Sequence, residues 1–152
     1  MEVFVRELTV RASPEAAWRY LAAPDTLSAL TPPDGNVVIL ESAPLEEGRV
    51  VVLGVRVLSP LPFRLRWRSR VERVQPPCGW VDVAVGAPFP TWEHHHRILP
   101  VPGGCTLVDE VHYRAPLGSL GRAVSAPFIR AMLEAQLRHR HTVLRSVFGT
   151  LC

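Results

Sequence analysis

Hydrophobic and polar positions change period along the chain, and the changes mark out its elements. Residues 2–11 (EVFVRELTVR) alternate imperfectly, the pattern of a first β-strand. Ser13-Pro14-Glu15 then supplies an N-cap, a proline at the first helical position and an early acid. A helix is expected there, turning Ala17, Trp18 and Leu21 inward and ending near Pro24. Asp25 is the expected cap of a second short helix through Leu30, stopped by Pro32-Pro33. From residue 36 the period is two, with strands expected at 36–41, 49–58, 63–74, 79–85, 89–99 and 105–115. Glu46-Glu47-Gly48, Pro76-Pro77, residues 86–88 and residues 100–104 turn the chain between them, and 116–118 leads out. The 63–74 segment alternates most plainly: Phe63, Leu65, Trp67, Ser69 and Val71 share one face, and Arg64, Arg66, Arg68, Arg70 and Glu72 the other. That is a half-buried antiparallel strand with a wet outer face.

The last long stretch, 125–148, has helical period. Ser125 is the expected N-cap and Pro127 falls in the first turn. Ile129, Leu133, Leu137, Leu144 and Phe148 form an apolar stripe in steps of four, apart from one step of seven after Leu137, and Gly149 stops the helix. At 1.5 Å per residue the helix is about 36 Å long and needs a broad apolar partner. The order strand, two helices, six strands, long helix gives an α+β domain: an antiparallel sheet with its helices on one side, curled so that a cavity opens at one end.

Composition narrows the classes. With 152 residues and 47% apolar content, one domain (1–152) with a real core is expected. No apolar run reaches 18 residues and the first residues carry charges, so neither stable membrane insertion nor a signal peptide is expected, and the location read is cytoplasmic. The net charge is +3, with all 17 basic residues arginine and spread along the chain. Nucleic acid is therefore not an expected partner. Cys78, Cys105 and Cys152 lack the spacing of a metal motif and read as free thiols.

The candidate chemistry lies in one hairpin, PFPTWEHHHRILPVPGGCTLVDEVHYRAP. Trp92, His94, His96 and Ile98 share a face of its first strand; Cys105, Leu107, Asp109, Val111 and Tyr113 share a face of the second. A loop through Val101-Pro102-Gly103-Gly104 places His94 opposite Asp109, Trp92 opposite Val111 and His96 opposite Leu107. Polar groups then stand on an apolar inner wall, where they need partners or a hydrated cavity. Four readings are open. A His–Asp bond ties two strands together; the polar patch fixes a ligand in an apolar pocket; His94 is an acid–base group oriented by Asp109; or His94, His96 and Asp109 hold a metal. Alternation sends His95 to the opposite side, so the His94-His95-His96 run is not a three-histidine cluster. Asp82 is either outward or paired with an arginine, and Met132, Gln136 and Arg140 are either cavity-facing or a solvated helix flank.

These residues resemble the START/polyketide-cyclase-like superfamily, the helix-grip fold of Bet v 1-type proteins, over nearly the whole chain. The resemblance rests on ASPEAAWRYLAAPDTLSALTPP, on the Trp67 strand, on LRHRHTVL and on a bacterial subgroup pattern. That pattern falls on Phe89, Trp92, His94 and His96, then Asp109, Val111, Tyr113 and Pro116, with Ala87-Pro88-Phe89 where Gly-Pro-Phe is usual. The resemblance implies a curved seven-stranded antiparallel sheet wrapped around the C-terminal helix, with a deep apolar cavity between them. The expected function is binding or transport of a small hydrophobic molecule such as a lipid or polyketide. The alternatives are a cyclase- or dehydratase-like enzyme with His94, Asp109 and Tyr113 as candidate catalytic residues, and the metal site. The ligand-binding set is Trp67, Trp92, His94, His96, Asp109, Val111, Tyr113, Met132 and Gln136. No cofactor and no metal is assigned, and a monomer or weak homodimer is expected.

Overall fold

The structure, a computed structural model, describes residues 1–56, 63–86, 89–115 and 118–151, and the side chains of all of these except 118–124. Its elements are β1 (Glu2–Val10), α1 (Pro14–Leu21), α2 (Thr26–Ala29), β2 (Val37–Glu41), β3 (Val50–Val55), β4 (Leu65–Gln75), β5 (Gly79–Val85), β6 (Thr91–Val101), β7 (Gly104–Arg114) and α3 (Gly118–Phe148). The strands form one antiparallel sheet in the spatial order β1-β7-β6-β5-β4-β3-β2. β1 and β2 lie at opposite edges, so α1 and α2 carry the chain from one edge to the other. Several expectations lie outside the described residues: Leu58 at the end of the third strand, Ala87, Pro88 and Pro116 of the motif, and Cys152. Cys78 and Cys105 are free, the first exposed and the second buried.

Local chemistry explains most boundaries. Ser13 caps α1, its hydroxyl accepting from the Ala16 N–H at 3.2 Å, and Pro14 occupies the first turn. Asp25 does not cap α2 through its side chain; it is itself helical in backbone and makes no capping bond. Gly149 ends α3 at φ 71°, its N–H donating to the Arg145 carbonyl at 2.9 Å. The start of α3 differs from expectation. The helix begins at Gly118, Ser125 lies within it, and Pro127 is inside the helix rather than in its first turn. Nothing between Leu120 and Val124 breaks a helix except Gly121, which helices tolerate.

The β6–β7 hairpin also closes differently. Val101 pairs with Gly104, leaving a two-residue loop of Pro102 and Gly103, with Gly103 at φ 82°. Proline followed by a positive-φ glycine suits the centre of a tight turn. The register therefore slips by two from the expected one: His96 faces Asp109, His94 faces Val111 and Trp92 faces Tyr113. A slip of two preserves the faces, so every inward residue stays inward. On β4, Trp67 and Val71 are buried as expected, but Leu65 is 44% exposed, and Phe63, which lies before the strand, is 73% exposed. The apolar face of this strand meets the core only from Trp67 onward.

Among the described residues the core divides in two. One buried cluster holds Leu8, Val71, Trp80, Ile98, Leu107 and Leu144; the other holds Phe4, Trp67, Val111, Ile129, Leu133 and Leu137. Between them β4, β5, β6, β7 and α3 each contribute polar residues: Ser69 between Trp67 and Val71, Asp82 between Trp80 and Ala84, His94 and His96 between Trp92 and Ile98, Asp109 between Leu107 and Val111, and Arg140 and His141 between Leu137 and Leu144. A polar belt thus crosses the interior from the sheet to α3. No helix among the described residues is long and apolar enough to cross a membrane.

Candidate functional site

A cavity of about 230 Å³ lies between α3, the inner face of β2–β6 and the segment around α1 and α2. Its walls are mainly apolar, formed by Leu21, Leu27, Val37, Leu53, Val55, Trp67, Trp92, Met132 and Leu133 among others. Ser69, Asp82, His94, His96 and Arg140 of the polar belt, with Gln136 and Thr31 beside them, supply its polar groups. Trp67, Trp92 and Phe89 pack edge-on or tilted against one another with ring centres 4.8 to 5.3 Å apart and stiffen one wall.

Asp109 organises the belt. It is 1% exposed, and its Oδ1 accepts from His94 Nε2 at 3.0 Å while His96 Nδ1 approaches the same oxygen at 3.0 Å. Its Oδ2 faces Arg140 Nε at 3.2 Å and His141 Nε2 at 3.8 Å, the latter too long for a hydrogen bond. The other edge of His96 meets a second carboxylate, with Nε2 2.9 Å from Asp82 Oδ2. The Trp80 indole N–H donates to that same Oδ2 at 3.2 Å, and the Trp80 ring stacks on His96 with centres 4.1 Å apart and planes 16° from parallel. Gly79 permits this arrangement. Its φ is +149°, and a Cβ there would lie 2.0 Å from the His96 carbonyl oxygen.

The charges follow from these contacts. Burial pushes the Asp109 carboxyl up, but the Arg140 guanidinium, the nearby His141 ring and the ring N–H groups of His94 and His96 at 3.0 Å outweigh it and hold the group well below the usual carboxylate range. Burial likewise opposes ionisation of Asp82, and His96 overcomes it, so the net shift is downward. His96 is pulled down by burial yet raised overall by the carboxylates on either side. His94 goes the other way. Burial and the neighbouring His96 charge depress it to about 4 despite Asp109, so it is neutral near pH 7. Because Asp109 accepts, the His94 proton sits on Nε2 and Nδ1 is a lone-pair nitrogen, with no hydrogen-bond partner among the described residues. The belt therefore balances: two carboxylates against one guanidinium and one imidazole that favours its proton.

Of the expected ligand-binding residues, Trp67, Trp92, His94, His96, Met132 and Gln136 stand on the cavity wall. Asp109 lies behind the two histidines rather than on the wall, and Val111 and Tyr113 pack in the second core cluster. Tyr113 does not join His94 and Asp109. Its hydroxyl donates to Glu2 Oε2 at 3.0 Å, and burial together with Glu2 pushes it up to about 12. Asp82 is not outward, and among the described residues no arginine pairs with it; it faces the cavity and His96. Arg140 is not a solvated flank, its side chain being 12% exposed against Asp109. Trp80 and His141 had not been singled out. The step of seven in the α3 stripe was the sign of His141: that position, four after Leu137 and three before Leu144, is where an apolar residue is replaced by a buried histidine. One ligand atom each of Asp82, His94 and His96 lies within 4.8 Å of the other two.

Solved structures share this architecture at low identity. Norcoclaurine synthase from Thalictrum flavum, in complex with dopamine and hydroxybenzaldehyde, superposes with a TM-score of 0.71 at 13% identity, over 96% of this chain and 85% of that one. A Rhodobacter sphaeroides protein gives 0.63 at 20% identity, over 96% and 99%. A Thermus thermophilus protein gives 0.65 at 17% identity, over 96% and 99%. No curated protein matches the sequence. The family model for polyketide cyclase / dehydrase and lipid transport matches residues 1–148, so the chain belongs to that family.

Proposed function

We propose that the chain binds a small hydrophobic molecule in the cavity between the sheet and α3 and carries it, as a single cytoplasmic domain with no nucleic-acid partner. The observation that carries this reading is the cavity itself. Its volume of about 230 Å³ exceeds the roughly 150 Å³ of an apolar cavity that accepts benzene. A molecule of one or two rings matches that space, with a polar group directed at the belt. The norcoclaurine synthase complex, whose ligands are small aromatics, supports this size class. Titration with 2-naphthol, followed by tryptophan fluorescence, tests it. Saturable one-to-one quenching is expected, lost in Ser69→Phe, which fills the cavity from β4. Quenching that is unsaturable, or unaffected by Ser69→Phe in a folded variant, contradicts it.

A second reading, a cyclase- or dehydratase-like reaction in the same cavity, is favoured by His94: a neutral imidazole on the wall, oriented through Nε2 by buried Asp109. It requires that His94→Gln keep 2-naphthol binding while abolishing turnover of a polyketide-like substrate. Retained turnover removes it.

A further inference from the structure

We propose that Asp82, His94 and His96 form a site for one divalent first-row transition-metal ion on the polar wall of the cavity. The site is independent of whether the cavity also holds an apolar ligand. Three features of the geometry carry it.

The ligand atoms are assembled: one from each residue lies within 4.8 Å of the other two. His96 Nε2 and Asp82 Oδ2 are already 2.9 Å apart, the spacing of two adjacent donors each about 2.0–2.1 Å from an ion at right angles. An ion there takes the place of the hydrogen between them.

The rings are held from behind. Asp109 Oδ1 lies 3.0 Å from His94 Nε2 and 3.0 Å from His96 Nδ1, so one buried carboxylate pins the inner nitrogen of both rings. The nitrogens left over are His96 Nε2, beside Asp82, and His94 Nδ1. Metal-binding histidines are oriented in this way, their other nitrogen engaged by a carboxylate. Trp80, stacked on His96, fixes the plane of that ring.

The charges suit a cation at Asp82 and not at Asp109. Asp109 is matched by Arg140 at 3.2 Å and stands off the cavity wall, so an ion on Asp109 would face the guanidinium. Asp82 has no arginine within ion-pair distance among the described residues, and it lines the cavity. Two imidazoles and one carboxylate select zinc, iron or cobalt over magnesium and calcium, and they leave coordination positions open toward the cavity.

Calorimetric titration of untagged, chelator-treated Cys78→Ser protein with Zn²⁺ tests the site, with Co²⁺ absorption as an independent readout. One ion per chain is expected, with visible d–d bands for Co²⁺. Asp82→Asn and His94→Gln each weaken Zn²⁺ binding by at least the roughly 10–100-fold that losing an outer partner costs, and Asp109→Asn weakens it by about that factor. The competing cluster is on the outer face, where His95 bonds Glu93 and stands 4.9 Å from the His112 ring. The double variant His95→Gln/His112→Gln keeps full affinity. Circular dichroism of each metal-free variant verifies folding; if Asp82→Asn does not fold, His94→Gln and the wild-type Co²⁺ spectrum decide. Absence of one-to-one binding, or binding lost with the outer pair and kept in His94→Gln, overturns the proposal.

Discussion

Asp109 concentrates the energetics of the polar belt in one carboxylate. Its burial is tolerable because Arg140 and two imidazole nitrogens lie within 3.2 Å. Removing one member of such a set leaves the others buried without their counter-charge, a loss of about 3–5 kcal/mol. Asp109→Ala is therefore expected to lower unfolding stability by about that amount in urea, whereas truncating a surface pair such as Arg49–Glu46 changes it by less than about 1 kcal/mol. Equal losses from the two would refute the central place given to Asp109. The inward pointing of Asp109, His94 and His96 was legible because β6 and β7 alternate. Asp82 was not legible for a physical reason: Val81 on the opposite face of β5 is itself 6% exposed, so both faces of the strand read as apolar and the period-two signal disappears.

At the scale of elements, turn and helix chemistry decide what periodicity cannot. Alternation assigned the faces of the hairpin correctly, but the register depended on recognising Pro102-Gly103 as the whole loop. The helical stripe located α3 and its end at Gly149, while its beginning was hidden by Ser125 and Pro127, which together imitate an N-terminus. Pro127 lies exposed inside the helix, where it cannot donate to the carbonyl four residues earlier. Pro127→Ala is expected to raise stability by up to about 3 kcal/mol, read as a higher urea midpoint at unchanged slope. A lower midpoint would mean that the proline's ring packing outweighs the missing bond.

The whole molecule is two apolar clusters separated by a polar belt, with a cavity opening on the belt. The α+β class, the seven strands and the terminal helix were all legible, because each rests on a local period or a breaker. The size of the empty space was not, since it depends on how far α3, α1 and α2 stand from the sheet, a distance that no local pattern encodes. The four tryptophans offer a direct probe. Trp67, Trp80 and Trp92 line the cavity, while Trp18 does not, packing in the first core cluster edge-on to Trp80 at 5.9 Å. The decisive measurement is the indole N–H resonances during a 2-naphthol titration. Occupation of the cavity moves the signals of Trp67, Trp80 and Trp92 together, saturating at one equivalent, and moves Trp18 least. Unmoved signals at saturating ligand, or a response confined to Trp18, would contradict a ligand-binding cavity between the sheet and α3.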